Sequence, residues 1–252
     1  MEGQVTTAGA ERLAGLIRES ECTVALTGAG ISVPSGIPDF RTPGTGLWEN
    51  VDPMEVAHID AFRSDPARFW SFYRPRLAGL GGVEPNPAHA ALAELERRGL
   101  LEAVVTQNID TLHTRAGSER VVEVHGSIRT ASCQACDATY ALPDLEAIFD
   151  EEGIATCRAC ASLVKPDVVL FGEMLPAAAM AEAEALASRA DLLLCVGSSL
   201  EVYPVAGLPS ATMAGGGELA IVTQGPTPYD GDARIRLDGD VVAELGAVLS
   251  AL

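Results

Sequence analysis

Two Cys-x2-Cys pairs constrain this chain more tightly than any other feature of it. Cys133 and Cys136 are followed, after twenty residues, by Cys157 and Cys160. Two knuckles of this spacing place four thiolates tetrahedrally around one zinc ion. Four thiolates leave no open coordination position, so the expected Zn2+ is structural and takes no part in chemistry. Cys22 and Cys195 fall outside the pairs and are expected as buried thiols. A zinc ribbon can serve nucleic acid, but here it carries few basic residues, Arg129 and Arg158 among them, and the formal net charge is −18. So acidic a chain is repelled by nucleic acid and by anionic membranes, and neither is an expected partner. Lys165 is the sole lysine; the other sixteen cations are arginines. The acidity reads as solubility in a salty cytoplasm or as steering of basic, lysine-bearing substrates.

The rest of the chain alternates. Ala10 to Glu19 has the pattern of an amphipathic helix, and Thr23 to Thr27 is a short apolar strand running into Gly28-Ala29-Gly30. A long Gly-, Pro- and Asp-rich loop follows from Pro34 to Pro53. Met54 to Leu80 is expected as a helix broken by Pro66 and Pro75, and Ala88 to Arg98 as a cleaner one stopped by Gly99. Strands are expected at Val104–Thr106, Val121–Val124, Val168–Phe171, Leu192–Val196 and Leu219–Val222, with helices at Ala177–Arg189 and Val241–Leu252. Strands alternating with helices predict an α/β fold, a Rossmann-like parallel sheet covered on both faces, with ligands at the strand C-termini. The smaller domain combines a helical module with the zinc ribbon. The expected division gives residues 1–34, 77–128 and 165–252 to the nucleotide-binding domain, 35–76 to the helical module and 129–164 to the zinc module. No apolar run approaches the roughly 18 residues of a membrane span, and Met1 to Glu11 lacks the marks of a signal peptide, so a cytoplasmic location is expected.

Gly28-Ala29-Gly30 after a strand suits close approach of a pyrophosphate to backbone, although a structural glycine turn explains it equally, and Val33 stands where a third fingerprint glycine would. Downstream lie Ser35-Gly36-Ile37-Pro38-Asp39-Phe40-Arg41, Gln107-Asn108-Ile109-Asp110, His125-Gly126, Phe171-Gly172-Glu173, Gly197-Ser198-Ser199-Leu200 and Gly225-Pro226-Thr227. In this order, with the cysteine pairs between His125 and Phe171, the motifs resemble the sirtuin family from about residue 12 to 250. Thr223, where the family usually has Asn, and Leu170, where close relatives often have Trp, depart from the pattern.

The resemblance implies an NAD-dependent protein-lysine deacylase acting on acylated lysine peptides or proteins, with nicotinamide and O-acyl-ADP-ribose as products. It implies His125 as general base, helped by Asn108 and Asp110 in positioning. It implies a cofactor site of Gly28, Ala29, Gly30, Ser32, Asp39, Phe40, Arg41, Trp48, Gln107, Asn108, Ile109, Asp110, Gly197, Ser198, Ser199, Thr223, Gln224, Gly225 and Val241. Histidine suits a base because its ordinary pKa, about 6.5, lies near working pH. His113 is expected to pack or hydrogen-bond, and a monomer is the expected state. The alternatives are mono-ADP-ribosyl transfer to protein and an NAD-responsive acyl-lysine binding module.

Tyr73 and Arg76 lie three apart on an expected helix, so they share a face and can together grip a carboxylate. They fall where class III sirtuins carry the pair that reads succinyl- and malonyl-lysine, and Ala57 leaves room for a longer acyl chain. His58-Ile59 departs from the usual Thr-Pro. The resemblance implies a substrate site of Tyr73, Arg76, Ala57, Phe171, Gly172 and Glu173, with desuccinylation or demalonylation preferred over deacetylation.

Overall fold

The structure is a computed structural model that describes residues 7–39, 44, 46 and 51–252. Phe40, Arg41 and Trp48 of the expected cofactor site lie outside the described residues. In chain order the elements are α1 (Thr7–Glu19), β1 (Thr23–Thr27), α2 (Pro53–Val56), α3 (Ile59–Ser64), α4 (Pro66–Leu80), α5 (Pro87–Arg97), β2 (Ala103–Thr106), α6 (Leu112–Arg115), β3 (Val121–Glu123), β4 (Gly126–Cys133), β5 (Thr139–Ala141), β6 (Val164–Val168), α7 (Ala177–Arg189), β7 (Leu192–Val196), α8 (Leu208–Ala214), β8 (Glu218–Val222), β9 (Ile235–Leu237) and α9 (Val241–Ala251).

Six strands form one parallel sheet in the order β3-β2-β1-β7-β8-β9. β1, β2 and β7 are buried along their whole length, which is why they read as unbroken apolar runs with no alternation. Ala25, Val104, Leu194 and Ala220 face a layer made by α1, α5 and α9. Val24, Val105, Leu193 and Ile221 face the opposite layer, with Leu186 of α7 and Leu208 of α8. α1 buries Ala10, Leu13, Ala14 and Ile17, a stripe at helical spacing. The cap of α5 is Asn86, whose side chain accepts from the Ala88 N–H while the His89 ring accepts from the Asn86 N–H.

The other sheet is antiparallel, in the order β5-β4-β6. It shares a single core with the α3–α4 helices. Phe62, Phe69 and Trp70 pack with Ile128, Ile148, Val164, Cys133 and Cys157. Full burial of a phenylalanine such as Phe62 or Phe69 contributes about 1.5–3 kcal/mol. Among the described residues no helix is long and apolar enough to cross a membrane.

Three expectations change. The 54–80 segment breaks at Asp65, which caps α4 with Pro66 in the first turn, and again at Ala57–His58, while Pro75 stays inside α4. The break at His58 has no local signal, because it comes from a bridge to the distant Phe171. The strand expected at Val168–Phe171 ends at Val168. Beyond it the chain changes partner twice: the Val169 N–H donates to the His125 carbonyl, and Phe171 pairs with Ala57 and Ile59. The helix expected to start at Ala88 starts one residue earlier, with Pro87 at its first position.

Candidate active site

Parallel register brings the carboxyl ends of the sheet to one rim. Thr27 lies beside Thr106 and Val196, Thr106 beside Glu123, and Val196 beside Val222. The expected cofactor residues leave that rim: Gly28-Ala29-Gly30 after β1, Gln107 to Asp110 after β2, Gly197-Ser198-Ser199 after β7 and Thr223-Gln224-Gly225 after β8. Val241 opens α9. The chain goes from β1 outward through β2 and β3, then returns to β7 on the other side. The crevice where that order reverses lies between the β1 and β7 loops.

The two loops touch, and this fixes why position 28 and position 30 are glycine. A Cβ on Gly28 would lie 2.9 Å from the Ser198 Cβ, and one on Gly30 would lie 2.8 Å from the Gly197 Cα. Gly30 also donates its N–H to the Gly197 carbonyl at 2.8 Å. The missing side chains are therefore accounted for by loop-to-loop packing, the turn reading of this motif. The Gln107 side-chain amide crosses the same junction to the Ser198 hydroxyl at 2.9 Å.

Behind the rim lies a buried polar chain with a defined direction. The Asn86 N–H donates to His89 Nδ1, so Nε2 carries the proton and faces the Ser32 hydroxyl at 3.4 Å. Ser32 in turn donates to Asp110 Oδ2 at 2.6 Å, and Asp110 Oδ1 accepts from the Leu112 N–H at 2.9 Å. The Asn108 amide nitrogen donates to Ser32 Oγ and to the Gly28 carbonyl, both at 3.1 Å. Asn108 and Asp110 thus tie their loop to the one after β1 and lie 9 % and 6 % exposed. Ile109 is half-buried against the small-domain core, and Asp39 is described but half-exposed at the end of the 28–39 loop.

His113 hydrogen-bonds the Thr27 hydroxyl through Nε2 at 2.9 Å, and its buried Nδ1 has no partner among the described residues. Desolvation holds His113 down at about 3 and His89 at about 4, the nearby Asp110 partly offsetting the latter. Both rings are therefore neutral in the fold, whereas the unfolded chain protonates them below about 6.5. Protons bind the unfolded state first, so stability is expected to fall as pH drops from 6.5 towards 4, by up to about 1.4 kcal/mol per pH unit for each ring. Denaturant titrations at pH 7, 6 and 5 measure this. A His89→Gln/His113→Gln variant with an unchanged pH slope would show that the loss comes from other groups.

His125 follows β3 by two residues and is half-buried. Its Nδ1 lies 2.9 Å from the Gln107 carbonyl, an atom that can only accept. Nδ1 is therefore the protonated nitrogen, and Nε2 keeps its lone pair. Burial lowers the ring's pKa below its ordinary value, and the bond to Gln107 partly restores it. Gly126 then turns at φ +76°, where a Cβ would collide with the Asp167 carbonyl at 2.1 Å. That turn sends the chain from the rim into the small sheet.

The expected substrate residues gather where 57–59 meets 169–173. The Phe171 N–H donates to the Ala57 carbonyl at 2.9 Å, and the Ile59 N–H donates back to Phe171 at 3.0 Å. Phe171 is 45 % exposed, and Gly172, at φ +83°, leaves room for the His58 ring. The Glu173 carboxylate turns inward, accepting from the Leu170 N–H and pairing with Lys165. On α4, Tyr73 stacks on Phe69, and Arg76 lies with its guanidinium 3.5 Å above the Phe72 ring. Burial raises the Tyr73 phenol, which keeps it a neutral O–H. Sequence reasoning passed over Asn86, His89, Lys165 and Arg236. Arg236 braces the 223–225 loop by donating to the Gly225 carbonyl and pairing with Asp230. Asn86 and His89 act through the distant Ile31 and Ser32, whereas Lys165 and Arg236 act on turns within their own stretch of chain.

The four paired cysteines converge, their sulfurs all within 4.8 Å of one another. Cys133 to Cys160 is 3.4 Å, Cys136 to Cys157 3.7 Å and Cys136 to Cys160 3.6 Å. Zinc–sulfur bonds of about 2.3 Å in a tetrahedron put sulfurs about 3.8 Å apart, so the cluster fits that ion. None of the four is in a disulfide. The Tyr140 hydroxyl reaches Cys157 Sγ at 3.2 Å, a donor suited to a thiolate.

Comparison with known proteins agrees with this arrangement. The model of the Sir2 family matches residues 28–204. An NAD-dependent protein deacetylase of Thermotoga maritima is 46% identical over 227 residues, covering 90% of this chain and 92% of its own. An NAD-dependent protein deacylase of Thermococcus sibiricus is 48% identical over 207 residues, 81% of each chain. A solved Sir2 structure with a deacetylated p53 peptide and 3'-O-acetyl ADP ribose superposes with a TM-score of 0.91 at 44% identity, over 95% of this chain and 97% of that one. Another, bound to a propionylated peptide, gives 0.88 at 43% identity over 95% and 97%. On the rim, the histidine, the cysteine cluster and these likenesses together, the chain belongs to the Sir2 family, the sirtuins.

Proposed function

We propose that the protein is an NAD-dependent protein-lysine deacylase that prefers succinyl- and malonyl-lysine and also removes acetyl groups. The observation that carries the reaction is the tautomer of His125, which leaves Nε2 as an unprotonated base at the edge of the crevice. NAD, when bound, supplies ADP-ribose as the acyl acceptor and nicotinamide as the leaving group. The loops after β1, β7 and β8, with Gly28, Gly30, Ser198 and Thr223, would hold it at the rim. Asn108 and Asp110 keep the crevice floor rigid, and His125 Nε2 is the base that would take a proton from a ribose hydroxyl of the bound cofactor. In this reading residues 1–34, 77–128 and 165–252 carry the cofactor, while 35–76 and 129–164 form the domain that covers the acyl-lysine. Cys133, Cys136, Cys157 and Cys160 hold one structural zinc. The relatives' names, deacetylase and deacylase, support the general reaction.

The acyl preference rests on α4. Arg76 gives one N–H to the Phe72 carbonyl, and its buried Nε has no acceptor among the described residues. A donor left so costs about 1–3 kcal/mol, which an acyl carboxylate would relieve. Tyr73, neutral and near enough for the Arg76 charge to favour its ionised form, adds a second donor. Mass spectrometry of acetyl-, succinyl- and malonyl-peptides incubated with and without NAD tests both levels of the reading. Arg76→Met is expected to lower succinyl-peptide turnover about ten- to a hundred-fold, from a charge-assisted contact of about 1.5–3 kcal/mol, and to spare acetyl-peptide turnover. Equal losses on both peptides would make Arg76 a support of the fold. Labelled protein in place of released acyl-ADP-ribose would favour ADP-ribosyl transfer.

A further inference from the structure

Lys165, the sole lysine, is 7 % exposed at the second position of β6. Its ammonium donates to the Pro166 carbonyl at 3.0 Å and the Val168 carbonyl at 2.7 Å, and lies 3.0 Å from Glu173 Oε2. Three N–H groups meet three acceptors, so the cation is saturated. The same Glu173 oxygen accepts from the Leu170 N–H at 2.9 Å. One ion pair therefore ties together both ends of the segment from Pro166 to Glu173.

That segment needs such a tie. Sheet pairing ends at Val168, and beyond it the backbone is held by single bonds to His125, Ala57 and Ile59. It is also the only part of the chain seen to bond both to the His125 backbone and to the 57–59 turn among the described residues. A buried ion pair is no bargain for stability, since a well-packed apolar pair of like volume commonly does as well or better. What it provides is direction: a carboxylate and an ammonium with every bond assigned hold one backbone path.

We propose that Lys165 is a positioning residue for the acyl-lysine peptide: through Glu173 and the 166 and 168 carbonyls it sets the backbone of Val168–Glu173 as the edge on which the peptide docks. The proposal rests on the deacylase reading above. Lys165 is buried with its three N–H groups taken up, so it has none left for substrate or cofactor, and its partners all lie between Pro166 and Glu173, away from the loops after β1, β7 and β8. Its loss therefore affects the peptide and leaves NAD alone.

The test compares wild type with Lys165→Met, Lys165→Arg and the double variant Lys165→Met/Glu173→Leu, which leaves no orphan carboxylate and replaces the single change in the comparison if that change unfolds the protein. KM for a succinyl-lysine peptide, KM for NAD and kcat are measured below each protein's Tm. The double variant is expected to raise peptide KM about ten-fold or more, the loss of roughly one charge-assisted bond, with the KM for NAD within about two-fold. Lys165→Arg keeps the charge opposite Glu173 and is expected to recover most of the peptide affinity. A folded double variant with wild-type peptide KM would overturn the proposal, as would equal rises in both constants. Wild type that shows no NAD-dependent deacylation would instead overturn the deacylase reading, and the proposal with it.

Discussion

His125→Ala is expected to lower deacylase turnover by about 10²- to 10⁴-fold, the contribution typical of a positioned general base. The ring is held for that task at one nitrogen only. Nδ1 is spent on the Gln107 carbonyl, and burial pushes the pKa down, so Nε2 is unprotonated at neutral pH. The acid limb of the rate profile should accordingly lie below pH 6.5, with activity lost as the ring protonates. NAD affinity should stay near wild type, because the Gln107 backbone is independently fixed by its N–H bond to the Thr27 carbonyl at 3.0 Å. Steady-state kinetics with a succinyl-peptide, beside calorimetric titration of NAD, separates the two effects. Near-normal turnover by the variant would remove His125 from the chemistry. A parallel loss of NAD binding would make it a part of the cofactor cradle.

Removing zinc is expected to unfold the small domain and abolish activity with it. Structural zinc in small modules supplies about 10–16 kcal/mol of folding free energy. Here Cys133 and Cys157 are buried within the same core as Phe62, Phe69 and Trp70. Loss of the metal leaves four thiols crowded within 4.8 Å at the edge of that core, two of them buried in it. The layers on either side of the parallel sheet share no core residue with it, so they should survive. A chelator series followed by metal content, near-ultraviolet and far-ultraviolet circular dichroism, and turnover reads all three consequences. Metal-free protein with full activity would refute the structural role of the cluster.

The parallel strands were legible because both faces of each are covered: Leu192–Val196 has no polar residue to misplace, and Thr23–Thr27 has only its terminal threonines. β4 and β5 carry little such signal, since Gly126–Cys133 is only partly buried and half polar and draws its order from β6 and the cysteines. β9 is three residues with an arginine in the middle. At the site, the motif residues lie on the rim, but a motif does not say which way a side chain turns. The Glu173 carboxylate and the Ser32 and Asp110 oxygens look like ligand contacts in sequence, yet their partners in the structure are Lys165, Asn108 and each other. Those directions depend on pairs separated by up to 78 positions in the chain, and no local pattern encodes them.

The burial of Lys165 also bears on how this protein meets reactive acyl donors. Activated thioesters and acyl phosphates modify exposed lysine amines without any enzyme. Apart from its amino terminus the folded chain presents them no such target, because its single ε-amine is saturated and shielded. A protein proposed to strip acyl groups from lysines is thereby spared from collecting them on its own side chains. Its activity would hold constant while acyl-donor levels rise and fall around it, and an acyl mark at position 165 would record that the strand beneath it had opened.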